Sequence, residues 1–149
     1  MTPQLTVTVL GPPKPQGSMR AFPAKGGKGA VIVHSTTTAG YRNQVADATA
    51  LAVEETGWTP PDAATVTINF DMPRPKSDPK WRRERWPWAN RRPDLDKLVR
   101  LILDGLVAGG ALDDDAHVVS LHATKRYPLP GGTAGMSVTI HPHHEADVR

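Results

Sequence analysis

The sequence predicts an α+β domain, a mixed β-sheet of about five strands with two helices packed on it. Three observations carry that expectation. Residues 4–10, 64–72 and 136–142 alternate polar and apolar side chains and are rich in Val, Ile and Thr, as half-buried strands are. Residues 94–107 place Leu95, Leu98, Val99, Ile102, Leu103 and Leu106 on one helical stripe. Strands and helices do not alternate regularly, which argues against a repeated βαβ fold.

Taken in order, QLTVTVL (4–10) reads as a first strand. The Pro/Gly stretch that follows, through about residue 29, reads as loop. AVIVH (30–34) is a short apolar strand, and residues 37–56 form a helix ended by Gly57, with Tyr41, Val45, Ala48 and Ala52 near the helical period. ATVTINFDM (64–72) reads as a central strand. Residues 73–93 carry Pro73, Pro75, Pro79 and Pro87 and are expected to hold no regular element. The helix at 94–107 follows Pro93 and stops at Gly109–Gly110. Strands at 117–127 and 136–142 complete the chain before a frayed tail, HHEADVR.

A chain of 149 residues is expected to form one domain, 1–149, able to bury a core without staples. There is no cysteine, so disulfides and thiolate metal sites are excluded. The N-terminus lacks a signal-peptide pattern and no apolar run is long enough to span a bilayer, so a cytoplasmic protein without membrane contact is expected. The net charge of +3 is concentrated. Residues 73–93 hold eight basic and two acidic side chains, a net of +6, which leaves the remainder at −3. Such a segment is suited to a polyanion. The basic residues expected to meet DNA are Lys80, Arg82, Arg83, Arg85, Arg91 and Arg92 in this loop, with Lys14 and Arg20 in the N-terminal loop.

Asp94 and Asp96 open the helix in PDLDK, off its apolar stripe. One Asp in that place is an ordinary N-cap. Two exceed what a cap requires. Asp113, Asp114 and Asp115 lie between the helix and the next strand, where a solvated turn is the simpler reading. Whether the two clusters meet depends on strand order. If they meet, carboxylates at close range require a cation, and hard oxygen donors select Mg²⁺ or Mn²⁺. HPHH (141–144) is read as tail and not as a ligand set. A carboxylate-held Mg²⁺ beside a loop that interleaves Trp81, Trp86 and Trp88 with Arg and Lys points to phosphodiester chemistry on DNA. For each Trp, packing against the body is an equal reading.

RRPDLDKLVRLILDGL, followed by LDDDAHVVSLHATKRY, resembles the RusA family of Holliday junction resolvases. The matching positions are Pro93–Leu98, Asp104–Leu106, Asp114–Val118 and Lys125, with looser agreement in GPPKPQGSMR, His34 and Tyr41–Arg42. The resemblance implies an endodeoxyribonuclease that binds four-way or branched DNA and makes paired symmetric incisions with Mg²⁺. It implies metal ligands at Asp94, Asp96 and Asp115, and adds Lys125 to the DNA-contacting residues. Two positions depart from the family pattern. Lys97 replaces an Asn, and Arg100 replaces a Lys. Arg100 can supply charge to a phosphate but cannot release a proton, in which case Lys97 stands in. The alternative for Arg100 is a surface pair with Asp96 and Asp104. Two symmetric incisions require two sites, so a homodimer is expected.

Other readings are a basic DNA-binding module without catalysis, a different Mg²⁺ phosphodiesterase or nucleotide phosphohydrolase, and a purely structural protein. The first leaves the acids unexplained, since bare carboxylates repel phosphate. The second lacks a phosphate-binding glycine loop.

Overall fold

The computed structural model describes the backbone of residues 3–15, 20–23, 30–33 and 36–144, and side chains within 3–15, 40–82 and 85–144. The main sheet has four strands: β1 (Leu5–Leu10), β4 (Ala64–Asp71), β5 (Val118–Arg126) and β6 (Gly135–Pro142), in the order β1-β6-β4-β5. β6 runs antiparallel to both β1 and β4, and β4 runs parallel to β5. β4 is interior, as its alternation predicts. β2 (Arg20–Pro23) and β3 (Ala30–Val33) form a separate antiparallel pair. The helices are α1 (Thr36–Thr56), α2 (Lys80–Arg85) and α3 (Leu95–Ala108). The architecture is therefore α+β with a mixed sheet, as expected.

Two local expectations are corrected. Arg20–Pro23 is a strand where a loop was predicted. Its proline lies at the end of a two-stranded ribbon, where one side of the strand makes no ladder bonds. The 73–93 segment contains α2, because its prolines flank the six residues instead of interrupting them. Pro79 is the N-cap and Pro87 lies beyond the last turn.

Alternation decides which face of the sheet is buried. Leu5, Val7 and Val9 of β1, Val66, Ile68 and Phe70 of β4, and Met136, Val138 and Ile140 of β6 are all buried. Leu98, Leu101, Ile102 and Leu106 of α3 join this core. Each fully buried aliphatic or aromatic side chain contributes roughly 1.5–3 kcal/mol. The opposite face carries Thr6 and Thr139, whose hydroxyls lie 3.3 Å apart.

α3 also packs on α1, and the approach is close enough to require glycine. A Cβ on Gly105 would lie 2.5 Å from Val45 Cγ1, and one on Gly109 would lie 2.7 Å from the Ala46 carbonyl oxygen. Trp58 Nε1 donates to the Ala111 carbonyl at 2.9 Å, tying the chain after α1 to the turn after α3. Gly105→Ala should therefore destabilise the protein by about 1–3 kcal/mol through overpacking. The measurement is thermal unfolding, and Val45→Ala in the same chain should recover part of the stability.

Candidate active site

The parallel pairing of β4 and β5 determines where the acidic residues fall. α3 is the crossover between these strands, so its N-terminus lies where both strands end and its C-terminus where both begin. Phe70 and Asp71 at the end of β4 pair with Lys125 and Arg126 at the end of β5. Lys125 Nζ donates to the carbonyls of Arg91 at 2.6 Å and Pro93 at 2.7 Å, which places the start of α3 at that edge.

Asp94 is the N-cap residue of α3, with φ −66° and ψ 140°, yet its side chain makes no capping hydrogen bond. Its carboxylate is exposed, and its one ion pair among the described residues is with Lys97 Nζ, at 3.9 Å. Asp96 is exposed in the first turn. Arg100, one turn further along the helix, is exposed and pairs with neither Asp96 nor Asp104 among the described ion pairs. The two carboxylates and the guanidinium are thus presented to solvent, and Arg100 does not form the expected surface pair among the described ion pairs.

Asp115 lies elsewhere. It begins the short 3-10 turn Asp115–His117 that leads into β5, at the edge where Val118 pairs with Ala64. The length of β4 from Ala64 to Phe70 separates the two edges by about 20 Å. The 14 residues of α3 span about 21 Å in the same direction. Among the described residues no three acidic or histidine side chains converge as a metal-binding group. Strand order thus keeps the two clusters apart. Within one chain, Asp94 and Asp96 lie at the start of α3 and Asp115 is beyond its far end. Asp114 is the turn-former of its cluster. Its Oδ1 accepts from the Ala116 amide at 2.9 Å, and that bond, with a further one to Asp115, holds its carboxyl below the usual range.

The basic segment folds around one buried carboxylate. Asp78 pairs with Arg91 Nη2 at 2.7 Å, Arg74 Nη1 at 3.4 Å and Arg82 Nε at 3.8 Å. Arg74 also donates to the carbonyls of Arg82 and Trp86, each at 2.8 Å, and its guanidinium stacks 4.3 Å from the Tyr127 ring centroid. Arg82 donates to Asn90 Oδ1 at 2.9 Å and lies over the Trp86 ring. Arg82 and Arg91, both expected at DNA, therefore hold the loop together. Arg85 and Arg92 are exposed and make no described ion pair, and Lys80 is exposed on the first turn of α2. The side chains of Arg20 and Arg83, and all of His34, lie outside the described residues. Lys14, Arg91, Arg92 and Pro93 line one cleft of about 400 Å³ that adjoins the start of α3. Trp81 and Trp88 are more than half exposed, whereas Trp86 packs against the core.

Lys125 is the DNA-contacting residue that the resemblance adds. Its ammonium faces the backbone before Asp94, where burial lowers its pKa and the nearby Asp94 carboxylate opposes that shift. Sequence reasoning missed the organising role of Asp78 and Arg74. The signal was present as Arg74, Asp78 and Arg82 at successive spacings of four. Asp78→Ala should leave three arginines without their buried counter-charge, at a cost of about 3–5 kcal/mol. Thermal unfolding measures that cost, and limited trypsin digestion should show faster cleavage within 74–92 than in the wild type.

The family model described as Endodeoxyribonuclease RusA matches residues 11–141, most of the chain. A search among curated proteins returns no match. The matched span includes the acid pair at the start of α3, the second acid cluster and the whole basic segment. Among the described residues no helix is long and apolar enough to cross a membrane. The chain belongs to the RusA family of Holliday-junction-resolving endodeoxyribonucleases, hydrolases that act on DNA phosphodiester bonds.

Proposed function

We propose that this protein is a Mg²⁺-dependent endonuclease that resolves four-way DNA junctions by paired symmetric incisions as a homodimer. The observation that supports this most directly is the exposed pair Asp94 and Asp96 at the start of α3, where the Asp94 side chain makes no capping hydrogen bond and pairs with Lys97 only at 3.9 Å. The donor set fits a hard divalent ion, since Mg²⁺ is commonly held by one or two carboxylates with water and substrate phosphate completing its shell. Asp94 and Asp96 would hold it. Mg²⁺ in that position supplies positive charge to the scissile phosphate and makes a bound water more acidic. Arg100, exposed on the same helix, would bind a non-bridging phosphate oxygen and orient the strand. It cannot act as a proton donor or acceptor, which leaves Lys97 for any proton transfer.

The distance between the two acid clusters favours a dimer. Asp115 reaches an Asp94–Asp96 pair only by coming from a second copy, so a complete three-carboxylate site would combine Asp94 and Asp96 of one protomer with Asp115 of the partner subunit. A two-fold dimer would have two such sites, matching the two of a junction's four strands that paired incisions cut.

Asp94→Asn, Asp96→Asn and Asp115→Asn should each abolish Mg²⁺-dependent cleavage of a synthetic four-way junction while leaving binding intact or tighter. Mixing Asp94→Asn and Asp115→Asn chains tests the shared site. A mixed dimer would then contain one fully intact site and one doubly substituted site, and would nick a cruciform plasmid without linearising it. If the mixture is as inert as its components, each protomer holds its own site.

Junction affinity should fall steeply with salt, because cationic side chains displace counterions. Replacing Arg85 and Arg92 by Gln should reduce the slope of log affinity against log salt by about 0.9 for each phosphate no longer neutralised. Filter binding over a salt series without divalent metal measures it, and an unchanged slope would remove both residues from the interface.

A further inference from the structure

We infer that Lys125 is a positioning residue for the metal site, fixing the backbone that carries Asp94, and is not a phosphate contact. This rests on the reading of Asp94 and Asp96 as metal ligands. Lys125 lies near the end of β5 and is held in the ladder opposite Phe70, a fully buried residue of β4. From there its Nζ reaches across 34 and 32 residues of sequence to the carbonyls of Arg91 and Pro93, at 2.6 and 2.7 Å.

The second of these carbonyls is the informative one. The Pro93 C=O belongs to the peptide unit that joins Pro93 to Asp94, so holding its oxygen fixes the plane from which the Asp94 Cα projects. Asp94 is also where the helix begins. Its own carbonyl accepts the first helical bond, from the Leu98 amide at 3.2 Å. The Asp94 backbone is thus held from both sides, by α3 after it and by Lys125 before it, while its carboxylate stays free of any cap. A carboxylate without hydrogen bonds is a precise ligand only if its backbone is fixed. Charge-assisted bonds from an ammonium to carbonyls are among the stronger ways to fix it. Two of the three ammonium N–H groups are committed to these carbonyls, which leaves little for DNA. Outer-shell partners of this kind typically change metal affinity by about 10–100-fold when removed.

The test uses the full chain, with Mn²⁺ as the probe and its binding followed by water-proton relaxation. Lys125→Met is expected to weaken Mn²⁺ binding by about 10–100-fold, with cleavage restored by excess metal. The salt slope of junction binding without divalent metal should not change. Lys125→Arg, whose guanidinium can span both carbonyls, should recover most of the Mn²⁺ affinity. If Lys125→Met does not fold, Lys125→Gln, which keeps an amide donor, replaces it in both titrations. A salt slope lower by about 0.9 with Mn²⁺ affinity unchanged would make Lys125 a phosphate contact and overturn the inference. A lower melting temperature with Mn²⁺ affinity unchanged would reduce it to a general structural role and overturn it equally. A wild-type chain that neither binds Mn²⁺ nor cleaves junctions would instead overturn the metal-nuclease reading beneath it.

Discussion

Parallel strands cannot be joined by a tight turn, and the pairing of β4 with β5 makes the chain travel back along the whole sheet before β5 can start. α3 is that return path. Its amphipathic stripe covers the sheet, its glycines let it lie against α1, and its two ends open at opposite edges of the sheet. The two acidic clusters lie at those two ends. The acid pair and the basic segment lie where β4 and β5 finish, and the second acid cluster lies where they begin. The C-terminal edge of parallel strands is a common place for ligands in open α/β sheets, because the loops there are free of the constraints of the core. The separation of the clusters follows from the same geometry.

The basic segment shows how a cluster of like charges is made compatible with a fixed conformation. Eight cationic side chains in 21 residues would repel one another in an open loop. Burying one carboxylate among three of them turns part of that repulsion into cohesion. Asp78 is almost fully buried, and Arg74, Arg82 and Arg91 converge on it. Charge-assisted bonds to carbonyls and stacking on Tyr127 and Trp86 absorb what remains. Arg85 and Arg92 are left facing outward. Cationic residues in one segment therefore divide into those that build the loop and those left exposed, a division that total charge does not reveal.

Much of the fold was legible because it is local. Period-two alternation in β1, β4 and β6 and the period-3.6 stripe of α3 are statements about which face each residue occupies, and a buried sheet face enforces them. The PDLDK start of α3 and the DDDAHVV entry to β5 could be matched to a family for the same reason, since each is a continuous run of chain. Misreadings fell where the local signal is weak. β2 is only four residues long and ends in proline, and α2 fits between two prolines that resemble breakers.

Residue order along the chain was enough to establish the α+β class, the acidic and basic chemistry, and the family to which that chemistry belongs. Which of these groups meet was settled only when the strands came together. That Lys125 turns to the carbonyls of Arg91 and Pro93, and that Asp115 stands a helix length from Asp94, are consequences of strand pairing and crossover direction. Residue identity specifies what a side chain can bond to. Which partner it finds tens of residues away is specified by how the strands assemble, and one sequence pattern is compatible with more than one such assembly.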